Sequence, residues 1–167
     1  YHMKKALFIK TILLILIIAI MGACSNKSTS KEENVNLNVQ IDKLTDDEFK
    51  EVQVNYLKDP KKKDDFRKFS LTFQIDGSSK KRVNIPDFKK VINTIDNQQR
   101  YWFGNSSEKE SDNSDIFKSE FTFYSKGITE DTIIKAFEEK EVKVIFYKKD
   151  KIIDEKQYNI GDSLIFE

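Results

Sequence analysis

The sequence predicts a mainly β domain, an antiparallel β-sandwich with one or two short helices, and three observations predict it. Apolar and polar residues alternate, so that Val35, Leu37, Val39 and Ile41 share one face of a strand, and Phe69, Leu71, Phe73 and Ile75 share one face of another. These runs are rich in Phe, Val, Ile and Tyr and are broken by turn signals, DGSS at 76–79 and SKG at 125–127. Helical periodicity occurs in only two brief segments.

Taken in chain order, the first strand begins at Val35, and Val52, Val54 and Tyr56 repeat its alternation and predict a second. The segment 69–75 gives a third. In IPDFKKVINTID the residues Phe88, Val91, Ile92 and Ile95 stand at i, i+3, i+4 and i+7, which predicts a helix with Pro86 in its first turn. RYWFG at 100–104 reads as a strand, and SSEKESDNSDI at 106–116 as a long, solvated polar loop. Phe117, Phe121 and Phe123 share a parity and predict another strand. Thr129 then caps a second helix, with Ile128 and Ile133 at hydrophobic-staple spacing and Ile134 and Phe137 on the core side. Val142, Val144 and Phe146 face one way before KKDK turns the chain into IIDEKQYNI.

A helix crossing between sheets in a domain of seven to nine strands fits an immunoglobulin-like sandwich. The rival is an α+β fold with its helices on one face of an antiparallel sheet.

The front of the chain has a different character. Lys4 and Lys5 precede an uncharged run over 11–21, followed by the small residues Gly22 and Ala23 and by Cys24, the only cysteine. A charged start, an apolar run and a small-residue cleavage site are the pattern of an exported precursor. A spanning helix needs roughly 20 apolar residues. The stretch 11–23 supplies 13, because Lys10 interrupts it. Residues 1–23 therefore read as a signal peptide, with Tyr1 and His2 extraneous ahead of Met3.

Residues 24–34 then form a lipid-bearing cysteine and a flexible tether, since SNKSTSKEEN has no apolar residue with which to offset the entropy of ordering. The folded domain is expected over 35–167. With Lys4, Lys5 and Lys10 removed from 29 basic residues, 26 remain against 28 acidic ones, a net charge of about −2. So balanced a surface gives no argument for nucleic acid as a partner.

Met21-Gly22-Ala23-Cys24 resembles the lipobox of bacterial lipoproteins. The resemblance implies a diacylglycerol on the Cys24 thiol, cleavage before it, and residence on the extracytoplasmic face of the cell membrane. Two acyl chains hold a protein stably at a bilayer where one does not. The rest of the chain is similar to small surface lipoproteins of Gram-positive bacteria and, in size and layout, to lantibiotic-immunity lipoproteins, which sit on the producer's membrane and intercept a peptide antibiotic.

Chemistry is bounded by what the sequence lacks. His2 is the only histidine and falls in the discarded segment, which excludes Ser–His and Cys–His machinery from the mature chain. A zinc site is excluded on the same grounds, because the lone thiol is committed to lipid. No cofactor is implied, and paired carboxylates are too numerous to single one pair out.

Three local features stand out. Arg100 and Trp102 fall on one side of the predicted strand and are the candidate ligand-binding residues; otherwise Trp102 fills the space between two sheets. KDPKKKDDFRK at 58–68 reads as a basic solvated loop, and the acids at 108–115 lack the glycine and terminal glutamate of a calcium loop. The expectation is a membrane-anchored, non-enzymatic binding module that presents loops or a sheet edge to an envelope protein, peptide or other ligand. Peptide-antibiotic immunity is the second reading, and a small carboxylate-dependent hydrolase the third.

Overall fold

The computed structural model describes residues 33–52 and 62–167. The signal segment, Cys24 and most of the tether lie outside the described residues, as do Val54 and Tyr56. The compact unit spans Glu33–Glu167 and so takes in the last two residues of the expected tether. Asn34 belongs to the fold because its carbonyl accepts a hydrogen bond from Asp76 N at 2.8 Å.

Among the described residues there are eight strands: β1 (Val35–Lys43), β2 (Phe66–Asp76), β3 (Lys81–Asn84), β4 (Tyr101–Glu110), β5 (Ser114–Tyr124), β6 (Glu141–Lys148), β7 (Lys151–Asn159) and β8 (Leu164–Phe166). Three short helices join them: α1 (Asp46–Glu51), α2 (Phe88–Asn93) and α3 (Glu130–Phe137). One sheet has the order β4-β5-β2-β1-β8 and the other β3-β6-β7. Neighbours pair antiparallel except β8, which lies parallel to β1.

Apart from β8, this is the strand order of a constant-type immunoglobulin sandwich, in which strands one, two, five and four face strands three, six and seven. The chain changes sheet after β2, through α2 after β3, and through α3 after β5.

The alternation read from the sequence is what divides inside from outside. In β2, Phe69, Leu71, Phe73 and Ile75 are buried and meet Val142, Val144 and Phe146 of the opposite sheet in one core. Phe69 is the hub. Its ring lies 4.6 Å from Phe121 of β5, 4.9 Å from Phe88 of α2 and 5.2 Å from Phe137 of α3, so one side chain ties a sheet to both crossover helices.

α3 starts at the expected cap, Thr129 Oγ1 accepting from Thr132 N, whereas α2 is capped by Asp87, whose Oδ1 accepts from Lys90 N, so Pro86 lies ahead of the cap and not in the first turn. Ile133 and Phe137 are buried as expected, whereas Ile134 is 39% exposed because its position turns away from the sheets.

The basic segment 58–68 is not all loop, because its last three residues open β2 with Phe66 buried, and two more expectations are corrected. Val52 does not open a strand; it ends α1, a helix started by a capping box in which Thr45 and Glu48 exchange hydrogen bonds. The segment 106–116 is not a loop but the meeting of β4 and β5 in a hairpin, with only 111–113 left between them. It looked like a loop because both faces of β4 beyond Trp102 are exposed, so no alternation marks it.

Candidate functional site

β4 ends its sheet, and among the described residues β5 is its sole strand neighbour. An edge strand presents outward-facing N–H and C=O groups that another chain can pair with, and proteins usually guard such edges with charge or brevity. The other edges here follow that rule. β3 has four residues and β8 three, while β7 carries Lys151, Asp154, Glu155 and Lys156. β4 runs for ten residues, and its window Gly104, Asn105, Ser106 and Ser107 carries no charge.

How β4 comes to lie there is set by the residues just before it. Asn93, at the end of α2, accepts from Arg100 N and Tyr101 N through Oδ1, both at 2.8 Å. Arg100 is 3% exposed, and its Nε donates to Asp96 Oδ1 at 2.9 Å. Its Nη1 donates to the carbonyls of Tyr124 and Lys126 at 2.8 and 3.1 Å. The guanidinium holds the Asp96 carboxyl below the usual carboxylate range, chiefly by hydrogen bonding.

A bulge follows, since Tyr101 pairs with Phe123 and Phe103 with Thr122, leaving Trp102 as the extra residue. Tyr101 thus faces the core, whereas Trp102 packs on the outer face of the sheet in a separate cluster with Phe66, Leu44, Phe49, Val52 and Tyr124.

Arg100 is engaged by Asp96 and by the carbonyls of Tyr124 and Lys126. Trp102 does not fill the space between the sheets; it meets Phe66 edge-on at 5.7 Å beneath α1. Neither residue lines the two grooves that flank β4.

Two grooves flank the β4 window instead. The inner one, about 360 Å³, lies between the sheet and the start of α2, and is lined by Ile85, Phe88, Tyr101, Phe117 and Phe121, with Ser106 and Ser119 at its floor. Ser106 and Ser119 bond to each other through their hydroxyls at 3.0 Å. Lys89 Nζ lies 5.8 Å from the centre of the Tyr101 ring, whose phenol is pushed up by burial and secondarily by Asp87.

The outer groove, about 390 Å³, lies between α1 and the sheet and is lined by Glu48, Glu51, Glu120, Lys68, Phe103 and Asn105. Lys68 is taken by Glu48 at 2.6 Å. That bond and the amide of Thr45 lower the Glu48 pKa to about 2. Glu51 and Glu120 form no direct ion pair among the described residues, Glu120 adding only a longer-range attraction to Lys68. Gly104 borders both grooves, so no side chain separates them there.

Glu48 is held ionised far below neutral pH, the opposite of what a general acid needs. Among the described residues no group of His, Cys, Asp and Glu is placed to hold a metal ion, and no helix is long and apolar enough to cross a membrane. Sequence reasoning missed Gly104–Ser107, for which the available signal was a glycine inside a strand followed by small uncharged residues. No protein-family model, curated protein or solved structure matches the chain.

Proposed function

We propose that this chain is a surface-anchored binding module, held at the extracytoplasmic face of the cell membrane by lipid on Cys24, and that it engages its partner along β4. The observation that carries the reading is the combination of a ten-residue edge strand, an uncharged window from Gly104 to Ser107, and a groove on each side of that window. The anchor rests on the lipobox pattern at 21–24.

A photo-crosslinking amino acid at Ser107 of the membrane-held chain tests the binding role, with the same label at Lys151 on the β7 edge as control. A discrete adduct from position 107 and none from 151 is the expected result. Equal adducts from both edges would remove the claim for β4. Separately, Cys24→Ala is expected to abolish incorporation of a fatty-acid analogue, and undiminished label would refute the anchor.

A further inference from the structure

Resting on the reading of β4 as the binding edge, we infer that the partner is an extended peptide that adds to β4 as a further strand and alternates basic and apolar side chains. Main-chain hydrogen bonds to an edge give such a peptide its grip, and side chains falling alternately on the two faces give it selectivity. The two faces beside β4 differ in chemistry. On the inner side an incoming side chain meets Phe88, Tyr101, Phe117 and Phe121, which suits an aliphatic or aromatic group.

On the outer side it meets Glu51 and Glu120, both without a direct ion pair among the described residues because Lys68 is engaged by Glu48. Three carboxylates against one ammonium suit a lysine or arginine there. The two grooves lie on opposite sides of the same backbone stretch, Gly104 and Asn105, so the required period is the two-residue period of a strand. The preference for positive charge belongs to the window itself, because beyond it Glu108 and Glu110 pair with Phe117 and Asp115 on the inner side while Lys109 and Lys118 fall on the outer one.

A second copy of this chain is the competing occupant, and charge argues against it. Antiparallel β4–β4 pairing about a two-fold axis normal to the sheet keeps outer faces on one side, which puts two outer grooves, each lined by three carboxylates and one ammonium, on the same face. A basic strand removes that repulsion.

The test uses the full chain in zwitterionic nanodiscs, with empty nanodiscs as control, and fluorescent hexapeptides read by anisotropy. Alternating Lys-Val is expected to bind saturably. Alternating Glu-Val, and a block peptide of three Lys then three Val, should each bind at least tenfold more weakly. Glu51→Gln combined with Glu120→Gln should weaken Lys-Val roughly fivefold to tenfold with an unchanged circular dichroism spectrum. Hydrogen exchange should slow at 104–107 when the peptide is bound.

Equal binding of the three peptides, no binding of any, or protection elsewhere would overturn the inference. So would concentration-dependent protection of 104–107 without peptide, which would identify a second copy. If the peptides fail while Ser107 still crosslinks to a partner, the edge reading stands and the peptide inference falls; if both fail, so does the edge.

Discussion

Arg100 and Asp96, four residues apart, clasp each other at the mouth of β4, the guanidinium nearly inaccessible at 3% exposure and the carboxylate 32% exposed. Removing one side of such a pair strands the other, along with the Tyr124 and Lys126 carbonyls that Arg100 also serves. Arg100→Ala is expected to cost about 3 kcal/mol and Asp96→Asn less, about 1–2 kcal/mol, because Asp96 keeps some water. Equilibrium urea unfolding checks both, and values near zero would return Arg100 to the list of ligand contacts.

Trp102 should behave as a residue half inside. Full truncation of a core Trp costs roughly 3–5 kcal/mol. Packed against Phe66 on an outer face, Trp102→Ala is expected to cost about 2 kcal/mol. As the only tryptophan, it reports on itself, and its native emission should lie between buried and exposed limits.

Gly104 is required by closeness, not by dihedral angle. A Cβ there would stand 2.7 Å from Phe121 Cα and nearer still to Phe121 Cβ and the Glu120 carbonyl. Gly104→Ala must push β4 off β5, at about 1–3 kcal/mol. Faster hydrogen exchange along β4, with the β2 amides unchanged, is the expected signature.

Acid should loosen α1 first. The Glu48 pKa is depressed from 4.5 to about 2, so its contribution is complete above the ordinary value and is lost as pH falls from about 4.5 toward 2. With its side chain 32% exposed, the contribution is discounted to about 1 kcal/mol. Glu48→Gln should therefore lower stability by that amount at pH 7 and make little difference at pH 2, as measured by denaturant titration at each pH.

The β6–β7 hairpin turns on Lys149 and Asp150, both at positive φ, 50° and 62°. Two-residue turns of this kind favour Asn-Gly. Lys149→Asn with Asp150→Gly is expected to raise stability by about 0.5–1 kcal/mol, even though the exposed Lys80–Asp150 ion pair is lost. A lower urea midpoint would contradict this.

The strands that bury one face announced themselves. Val35–Ile41 and Phe69–Ile75 alternate because one side of each meets the core, and the helices at Asp87 and Thr129 carry their own start signals. α1 was hidden because its TDDE capping box leads into a six-residue helix too short for a helical period to show, while Val52, its C-terminal cap, continues into an alternating pattern. The second half of β4, from Ser106 to Glu110, was hidden for the opposite reason to β2, being wet on both faces.

The candidate site was legible only as a generic sheet edge. One bulged residue shifts the parity of RYWFG, so Tyr101 faces Phe123 and Phe103 faces Thr122, while Arg100 is drawn into a clasp with Asp96 that no strand pattern announces. Pairing register of this kind depends on residues far away in sequence, here Thr122 and Phe123.

β1 lies between β2, along nine register pairs, and β8, whose Leu164–Phe166 pair with Val39–Ile41. A pull entering at Glu33 runs along β1, so it loads these ladders side by side in shear and not one bond at a time. From there the load must cross β2 and β5 before it reaches β4. Tension between Glu33 and β4 is therefore carried through every ladder on the way, β1–β2, β2–β5 and β5–β4, in turn.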